Sequence, residues 1–418
     1  MRLTPAHVDM ATAALRAVLP LQHPADSVLS GFFRANPHFG SNDRAFISEN
    51  VFGILRHRFF LESALEIPTP RSLLLAHLAR FQGINLRELV SLVSEAEAKW
   101  LRNIKAASLH TQPLCVQAEL PEWLIEKLRG FLRDDEILDL GRSLQRAAPL
   151  NLRTNTLLAN RDEILDALAK DGIEAAPTPY SPLGIRVVGK PAINRHPLFL
   201  TGKVEVQDEG SQLLGYLLSP KRRDMVVDFC AGAGGKTLML GALMRSHGRI
   251  YAFDTSDKRL KNLGLRLKRS GLSNLYPQHI ANENDIKIKR LSGKIDRVLV
   301  DAPCSGVGTL RRNPDLKWRQ SPQSIEQLKR KQMAILSSAS NLLKPGGRLV
   351  YATCSFFPEE NQEIVEQFLD SHPSFTLLNC AALLRQQKIP IDTGTFLELS
   401  PRLHGTDGFF AAALELKM

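Results

Sequence analysis

The hydrophobic period of this chain changes twice along its length. Up to about residue 145, apolar positions recur every three or four residues, the spacing of one helix face. Ser41, Asn42 and Asp43 precede a periodic stretch over residues 44–65, in which Ala45, Ile47, Val51, Phe52, Leu55, Phe59 and Phe60 fall largely on one stripe. Small polar residues ahead of such a stretch satisfy the first free backbone N–H groups, so a helix start is predicted there. Further helices are expected over 69–81, 85–106, 121–132 and 134–145, with Pro20, Pro24, Pro68 and Pro70 in the loops. About seven segments would form an all-α domain over residues 1–146.

Between residues 147 and 205 the period shortens. Leu150-Asn151-Leu152-Arg153-Thr154-Asn155-Thr156-Leu157 alternates like a half-buried strand, 161–171 suits a short amphipathic helix, and Gly184-Ile185-Arg186-Val187-Val188 is strand-like again. Pro177, Pro179 and Pro182 keep the middle from being one helix. A small α+β module is expected. From about residue 206 to 418, strand-like runs (225–229, 249–253, 295–300, 348–352, 409–414) alternate with helical ones (236–245, 258–270, 324–343, 358–370). That alternation predicts an α/β domain with a mostly parallel sheet, covered by helices on both faces.

At 418 residues the chain has room for two or three cores. Hydrophobic residues at 44% and charged residues at 23% are ordinary for a globular protein. No apolar run is long enough to cross a bilayer, and Asp9 interrupts any leader-like pattern at the start, so no membrane partner and a cytoplasmic location are expected. The five cysteines lack CxxC spacing, which argues against a disulfide framework or a metal site. A monomer is expected. The formal charge of +11 is unevenly placed: residues 255–331 hold 18 Lys/Arg against 7 Asp/Glu. A basic field of that kind attracts polyanions, and together with the chemistry described below it makes nucleic acid the expected partner.

Two cysteines stand apart from the others. Cys304 in Asp301-Ala302-Pro303-Cys304-Ser305-Gly306 and Cys354 in Tyr351-Ala352-Thr353-Cys354-Ser355 each close a strand-like run. One long helical segment between the runs would make them neighbouring parallel strands, with both thiols on the rim where open α/β sheets place their chemistry. Cys115 and Cys380 are read as small buried hydrophobes, and Cys230 as packing near a cofactor.

Upstream, Val226-Val227-Asp228-Phe229-Cys230-Ala231-Gly232-Ala233-Gly234-Gly235-Lys236-Thr237 supplies a glycine-rich turn on the same rim. A Walker A loop would need glycine where Cys230 sits, and a dinucleotide fingerprint would need it at Thr237. The turn suits a nucleoside ligand without a pyrophosphate. Asp254, 20 residues after Gly234, is placed to accept ribose hydroxyls, or alternatively to cap the helix starting near Ser256. Together these features point to S-adenosylmethionine.

A donor turn beside two thiols suggests methyl transfer through a covalent cysteine adduct. A cytosine ring is a poor nucleophile at C5. Thiolate addition at C6 makes it an enamine whose C5 can attack a sulfonium methyl, and loss of the C5 proton with expulsion of the thiol completes the exchange. Asp301, three residues before Cys304, is the candidate to share a proton at ring N3.

At these residues the chain resembles the RsmB family of bacterial RNA cytosine-C5 methyltransferases, related to the NSUN proteins. The resemblance is nearly full length and includes Leu152-Arg153-Thr154-Asn155-Thr156, residues 202–211, the glycine turn, the Pro-Cys-Ser and Thr-Cys-Ser loops, residues 311–318, Pro358-Glu359-Glu360-Asn361 and Thr406-Asp407-Gly408-Phe409-Phe410. It implies a Rossmann-like methyltransferase sheet, preceded by a NusB-like helical RNA-binding domain and an RRM-like subdomain. It also implies that Cys354 is the nucleophile and that Cys304 assists release. By similarity Cys230, Ala231, Gly232, Ala233, Gly234, Gly235, Lys236, Asp254 and Asp301 line the cofactor site, with Asn282 at a position commonly acidic in the family and Glu283 or Asp285 as substitutes. Arg311, Arg312, Lys317 and Trp318 are the candidate RNA contacts. Small-subunit rRNA is favoured over tRNA by the resemblance. The rivals are DNA cytosine methylation through Cys304 and a non-catalytic RNA-binding assembly factor.

Overall fold

The computed structural model describes residues 3–189 and 191–418. The chain separates into two units, one holding the residues up to Ala147 together with Thr309–Pro322, the other Ala148–Gly308 with Gln323–Met418.

The first unit is helical and fits the NusB-like domain expected. Ten α-helices form between Pro5 and Gln145 around a core that includes Leu15, Ile47, Ile54, Leu74 and Leu78. That is more than the periodicity suggested, because two expected helices are broken and Leu114–Ala118 adds one that was not expected. The stretch over 44–65 divides at His57 into Ser41–Arg56 and Arg58–Ala64. The second helix opens because the Glu119 carboxylate, distant in sequence, accepts the N–H groups of Phe59 and Phe60 at 3.0 Å each. These are first-turn donors that no intrahelical carbonyl can reach. The stretch over 85–106 restarts at Glu95–Ala106, where Ser94 and Glu97 cap each other reciprocally.

The second unit contains two sheets. In the small module, β1 (Leu150–Thr154), β2 (Ala175–Pro177), β3 (Gly184–Val187) and β4 (Val204–Val206) form an antiparallel sheet of order β2-β3-β1-β4. The helix Arg161–Lys170 sets Ile164 and Leu168 into one apolar cluster with Leu152, Ile185 and Val187. The large sheet is built from β5 (Met225–Asp228), β6 (Arg249–Asp254), β7 (Leu275–His279), β8 (Ile295–Asp301), β9 (Leu343–Thr353), β10 (Phe375–Leu378), β11 (Leu397–Leu399) and β12 (Phe409–Leu416). Its order is β10-β12-β9-β8-β5-β6-β7, with β11 beside β12. The pairs from β7 to β9 are parallel, and β12 runs antiparallel to its partners. Sequence patterning missed β7, β10 and β11. In β7, Tyr276-Pro277 reads as a loop, yet proline is tolerated on an edge strand, where this one lies.

Apolar clusters cover the two faces of the large sheet. One includes Leu213, Leu240 and Val350; the other includes Val298, Leu336 and Phe368. Sequence order proceeds outward from β5 through β6 to β7, then returns to the opposite side of β5 with β8 and β9. The reversal between β5 and β8 is where open α/β sheets leave a crevice beyond their strand ends.

Candidate active site

A cavity of about 650 Å³ opens at that crevice. The glycine turn after β5 forms one wall and the loops after β8 and β9 carry the thiols. Cys230, Ala231, Gly232, Ala233, Gly235, Lys236, Asp254, Asp301, Cys304 and Cys354 all line it. Gly234 does not, yet it shapes the turn: its φ is +82°, and a Cβ there would sit 2.0 Å from Leu263 Cδ1.

The two sulfurs are neighbours. Cys304 Sγ lies 3.2 Å from Cys354 Sγ and accepts the Cys354 backbone N–H at 3.2 Å. The parallel register of β8 and β9, which pairs Asp301 with Ala352, brings the two strand ends level. The hydrogen bond with Cys354, with burial adding to it, holds the Cys304 thiol well above the ordinary cysteine range, so it carries its proton. Burial and the charges of Asp301, Asp228 and Asp254 raise the Cys230 thiol too, leaving it a neutral wall group. Cys380 is fully buried as expected, whereas Cys115 is only partly so.

Lys236 reaches across the cavity to Asp301, Nζ to Oδ2 at 2.6 Å. Burial works against its charge, but Asp301, with Asp228 and the Cys354 sulfur, holds its pKa above the usual lysine value. A fixed ammonium therefore stands beside the thiol pair. Asp254 is not the helix cap weighed as an alternative; Ser256 takes that place. Its Oδ2 accepts Gly232 N–H at 2.8 Å and its Oδ1 accepts Ser256 N–H at 2.7 Å, which orients the carboxylate at the end of β6. Asp228 accepts the Thr237 hydroxyl at 2.6 Å through Oδ2, while Oδ1 is buried without a partner. Burial raises the Asp228 pKa to about 7.

Asn282 is displaced from the role expected of it. It is exposed, lies outside the cavity wall, and its Oδ1 accepts Asn284 N–H at 2.8 Å. Asp285 caps its own short helix, accepting from Lys287 N–H and Ala281 N–H at 2.9 Å each. Glu283 is the acidic residue of this segment that lines the cavity.

The candidate RNA contacts are also redistributed. Segment 309–322 belongs to the helical unit, where Lys317 is 4% exposed. Its Nζ donates to the carbonyls of Arg56 at 2.9 Å and Glu119 at 2.8 Å, with Glu119 Oε2 at 3.8 Å. Trp318 stacks on Phe59 with ring centroids 4.3 Å apart, under the Arg58 guanidinium. Arg311 is buried and its carbonyl accepts from Arg56 Nη2 at 3.0 Å. Arg312 is half-buried. The basic run looked like a solvated face because the acidic partner of Lys317 lies far away in sequence.

Glu360 and Asn361 had no assigned role, although their motif was visible. Glu360, fully buried, accepts from Ser305 N–H at 2.8 Å, from the Ser305 hydroxyl, and from Gln332 Nε2 at 2.9 Å. Asn361 accepts the Thr353 hydroxyl and donates to Ser355 O at 3.0 Å. Two consecutive residues thus fasten both cysteine loops. Gly308 N–H donates to Cys354 O at 2.9 Å, and a Cβ on Gly308 would lie 2.4 Å from Gly408 O, which accounts for glycine at 308; a Cβ on Gly408 would lie 2.4 Å from Phe356 Cε1, which accounts for the glycine in the Thr-Asp-Gly-Phe-Phe motif packed beneath.

Two family models match the chain. One, described as 16S rRNA methyltransferase RsmB/F, covers residues 215–415. The other, a ferredoxin-like domain of RsmF/B-like methyltransferases, covers residues 120–194 and so begins upstream of the expected boundary at 147. The chain is 35% identical over 303 residues to the probable ribosomal RNA small subunit methyltransferase B of Synechocystis sp., a match spanning 72% of this chain and 67% of that protein. A protein of the same description from Bacillus subtilis is 31% identical over 305 residues, spanning 73% and 68%. The crystal structure of PH0851 has a TM-score of 0.81 at 28% identity, over 99% of each chain.

Proposed function

Because the chain belongs to the RsmB/F family of 16S rRNA methyltransferases, we propose that it methylates C5 of a cytosine in small-subunit rRNA, through a transient bond from Cys354 to ring C6. The observation that carries this is the sulfur pair at 3.2 Å on the rim of one cavity with the glycine turn. A DNA-type mechanism through Cys304 alone would leave Cys354 without work.

The wall fits S-adenosylmethionine. Three carboxylates at Asp254, Glu283 and Asp301 face a cavity large enough for a nucleoside, and Asp228, whose buried Oδ1 has no partner, lies beside it. When bound, this group supplies an electrophilic methyl on a sulfonium. Asp254 would hold the ribose and the turn from Cys230 to Lys236 would pack against the donor.

The protein's own groups then divide the proton work. Lys236 places a positive charge beside Cys354, where negative charge must be carried during attack. Asp301 lies at the same rim to exchange a proton with ring N3. Cys304, already protonated, can donate its S–H to the Cys354 sulfur as the adduct breaks, and the thiolate this leaves can take up the proton lost from ring C5, which restores its S–H. A base inside a duplex must be extruded first, at a cost of a few kcal/mol, which favours an unpaired or opened cytosine. Arg312 would contact phosphates.

The test is nucleoside mass spectrometry of small-subunit rRNA lacking the modification, after incubation with the purified protein and the methyl donor. We expect 5-methylcytosine to appear at one position. Methyl incorporation into another nucleoside, or none into any RNA offered, would rule the proposal out.

A further inference from the structure

The glycine turn is held from outside the strand and helix it joins. Arg153 and Glu205 are direct partners across β1 and β4 of the small module, so their side chains leave that sheet on the same face. Both reach toward the turn. Arg153, 1% exposed, donates through Nη1 to the Gly235 carbonyl at 2.7 Å and to Gln207 Oε1. Glu205, also buried, accepts Nε and Nη2 of Arg266 on one oxygen, at 3.1 and 2.7 Å, and the same atoms of Arg269 on the other, at 3.2 and 2.8 Å. Arg266 in turn donates Nη1 to the Ala233 carbonyl at 2.7 Å.

The carbonyls on either side of left-handed Gly234 therefore each meet a guanidinium fixed by the small module. A buried arginine is costly when its donors are incompletely met, and Arg153 Nε has no partner. An aliphatic side chain would fill the same place in β1 without that penalty. The charge is explained by what it holds. The network also reaches the cavity itself, since Gln207, Ser211 and Arg266 line the wall, and Gln207 donates to Ser211 Oγ at 3.1 Å.

We propose that Arg153 and the Glu205–Arg266 pair are positioning residues for the methyl donor, through which the small module presets the Ala233–Gly235 carbonyls and so the shape of the turn. This role rests on the donor site proposed above. A turn rich in glycine loses much conformational freedom when it orders around a ligand, and residues that order it beforehand raise affinity without touching the ligand. The module would then serve the catalytic cavity directly, in addition to any contact it makes with RNA.

The experiment compares wild type with Arg153→Met, Arg153→Lys and Glu205→Gln. Hydrogen exchange of the free protein reads the turn, calorimetry with S-adenosylhomocysteine reads affinity, and steady-state kinetics separate KM for the donor from kcat. In Arg153→Met and Glu205→Gln we expect faster exchange over residues 230–236, a Kd weaker by about tenfold or more, and kcat at saturating donor nearly unchanged. Arg153→Lys should recover part of the affinity, because its ammonium can still reach one carbonyl. Unchanged affinity in both variants overturns the proposal, whether or not the turn loosens. Should Arg153→Met fail to fold, the isosteric Glu205→Gln decides the matter by itself. If wild type binds no donor while the variants still loosen the turn, the donor assignment falls and the holding of the turn stands.

Discussion

Glu360 accepts both the backbone N–H and the hydroxyl of Ser305, the residue next to Cys304, from a position only six residues past Cys354. One carboxylate thereby sets the spacing of two loops that lie 50 residues apart. Removing it takes a buried acceptor from Ser305 and from Gln332, at roughly 1–3 kcal/mol each. Glu360→Ala should lower the thermal unfolding midpoint. Glu360→Gln should fold and bind donor normally while losing at least about tenfold in kcat, because a sulfur displaced by a fraction of an ångström misses the ring. A kcat equal to wild type in Glu360→Gln would contradict a positioning role.

The two thiols should separate on a denaturing gel. In Cys304→Ala the bond from Cys354 to RNA should form and persist, so that protein and RNA migrate together. In Cys354→Ala no such band should appear and methyl transfer should fall to background. The opposite pattern would exchange the two roles.

Glu283 is the acidic wall residue of its segment and Asn282 is not in the wall. Glu283→Gln should therefore weaken donor binding several-fold by calorimetry, with Asn282→Ala matching wild type. Equal losses in both would mean that the loop rearranges when the donor enters.

Lys317 and Arg312 should part company in the same pair of assays. Lys317→Ala leaves Glu119 buried without its partner, a loss of about 3–5 kcal/mol from the helical unit, read by chemical denaturation. Arg312→Ala should weaken RNA binding and reduce the salt dependence of that binding by about one charge. If Arg312→Ala leaves RNA affinity and its salt slope untouched, that contact is wrong.

Asp228 gives the free protein a pH signature. The folded state holds a proton on this carboxyl up to about pH 7, because burial disfavours its charge, whereas the unfolded chain releases it near 3.8. Stability from this group is complete below about pH 3.8 and is lost as pH rises through 7. Asp228→Asn should flatten that part of the stability profile, measured as unfolding midpoints at pH 6 and pH 8. An identical decline in both proteins would show that Asp228 is already charged at pH 6.

Much of the catalytic rim was legible in the chain. Cys304 and Cys354 each end an apolar run, and the helix between them dictates parallel neighbours, so their placement on one rim follows from local pattern. The glycine turn was equally readable, since left-handed backbone at Gly234 is a demand that one residue type meets cheaply. What failed was inference from charge. Lys317 reads as a solvated cation, and Glu119, which pairs with it and opens the helix at Arg58, reads as an ordinary surface acid.

Sequence alone determined the succession of elements, the three textures of the chain and the residues available for chemistry, because periodicity and turn preference are properties of neighbours along the backbone. Tertiary structure decided which charges are buried, that Glu283 rather than Asn282 lines the cavity, and that Arg153 holds the Gly235 carbonyl. The reason is physical: desolvation and pairing depend on groups brought close only by folding, and no local pattern encodes that distance.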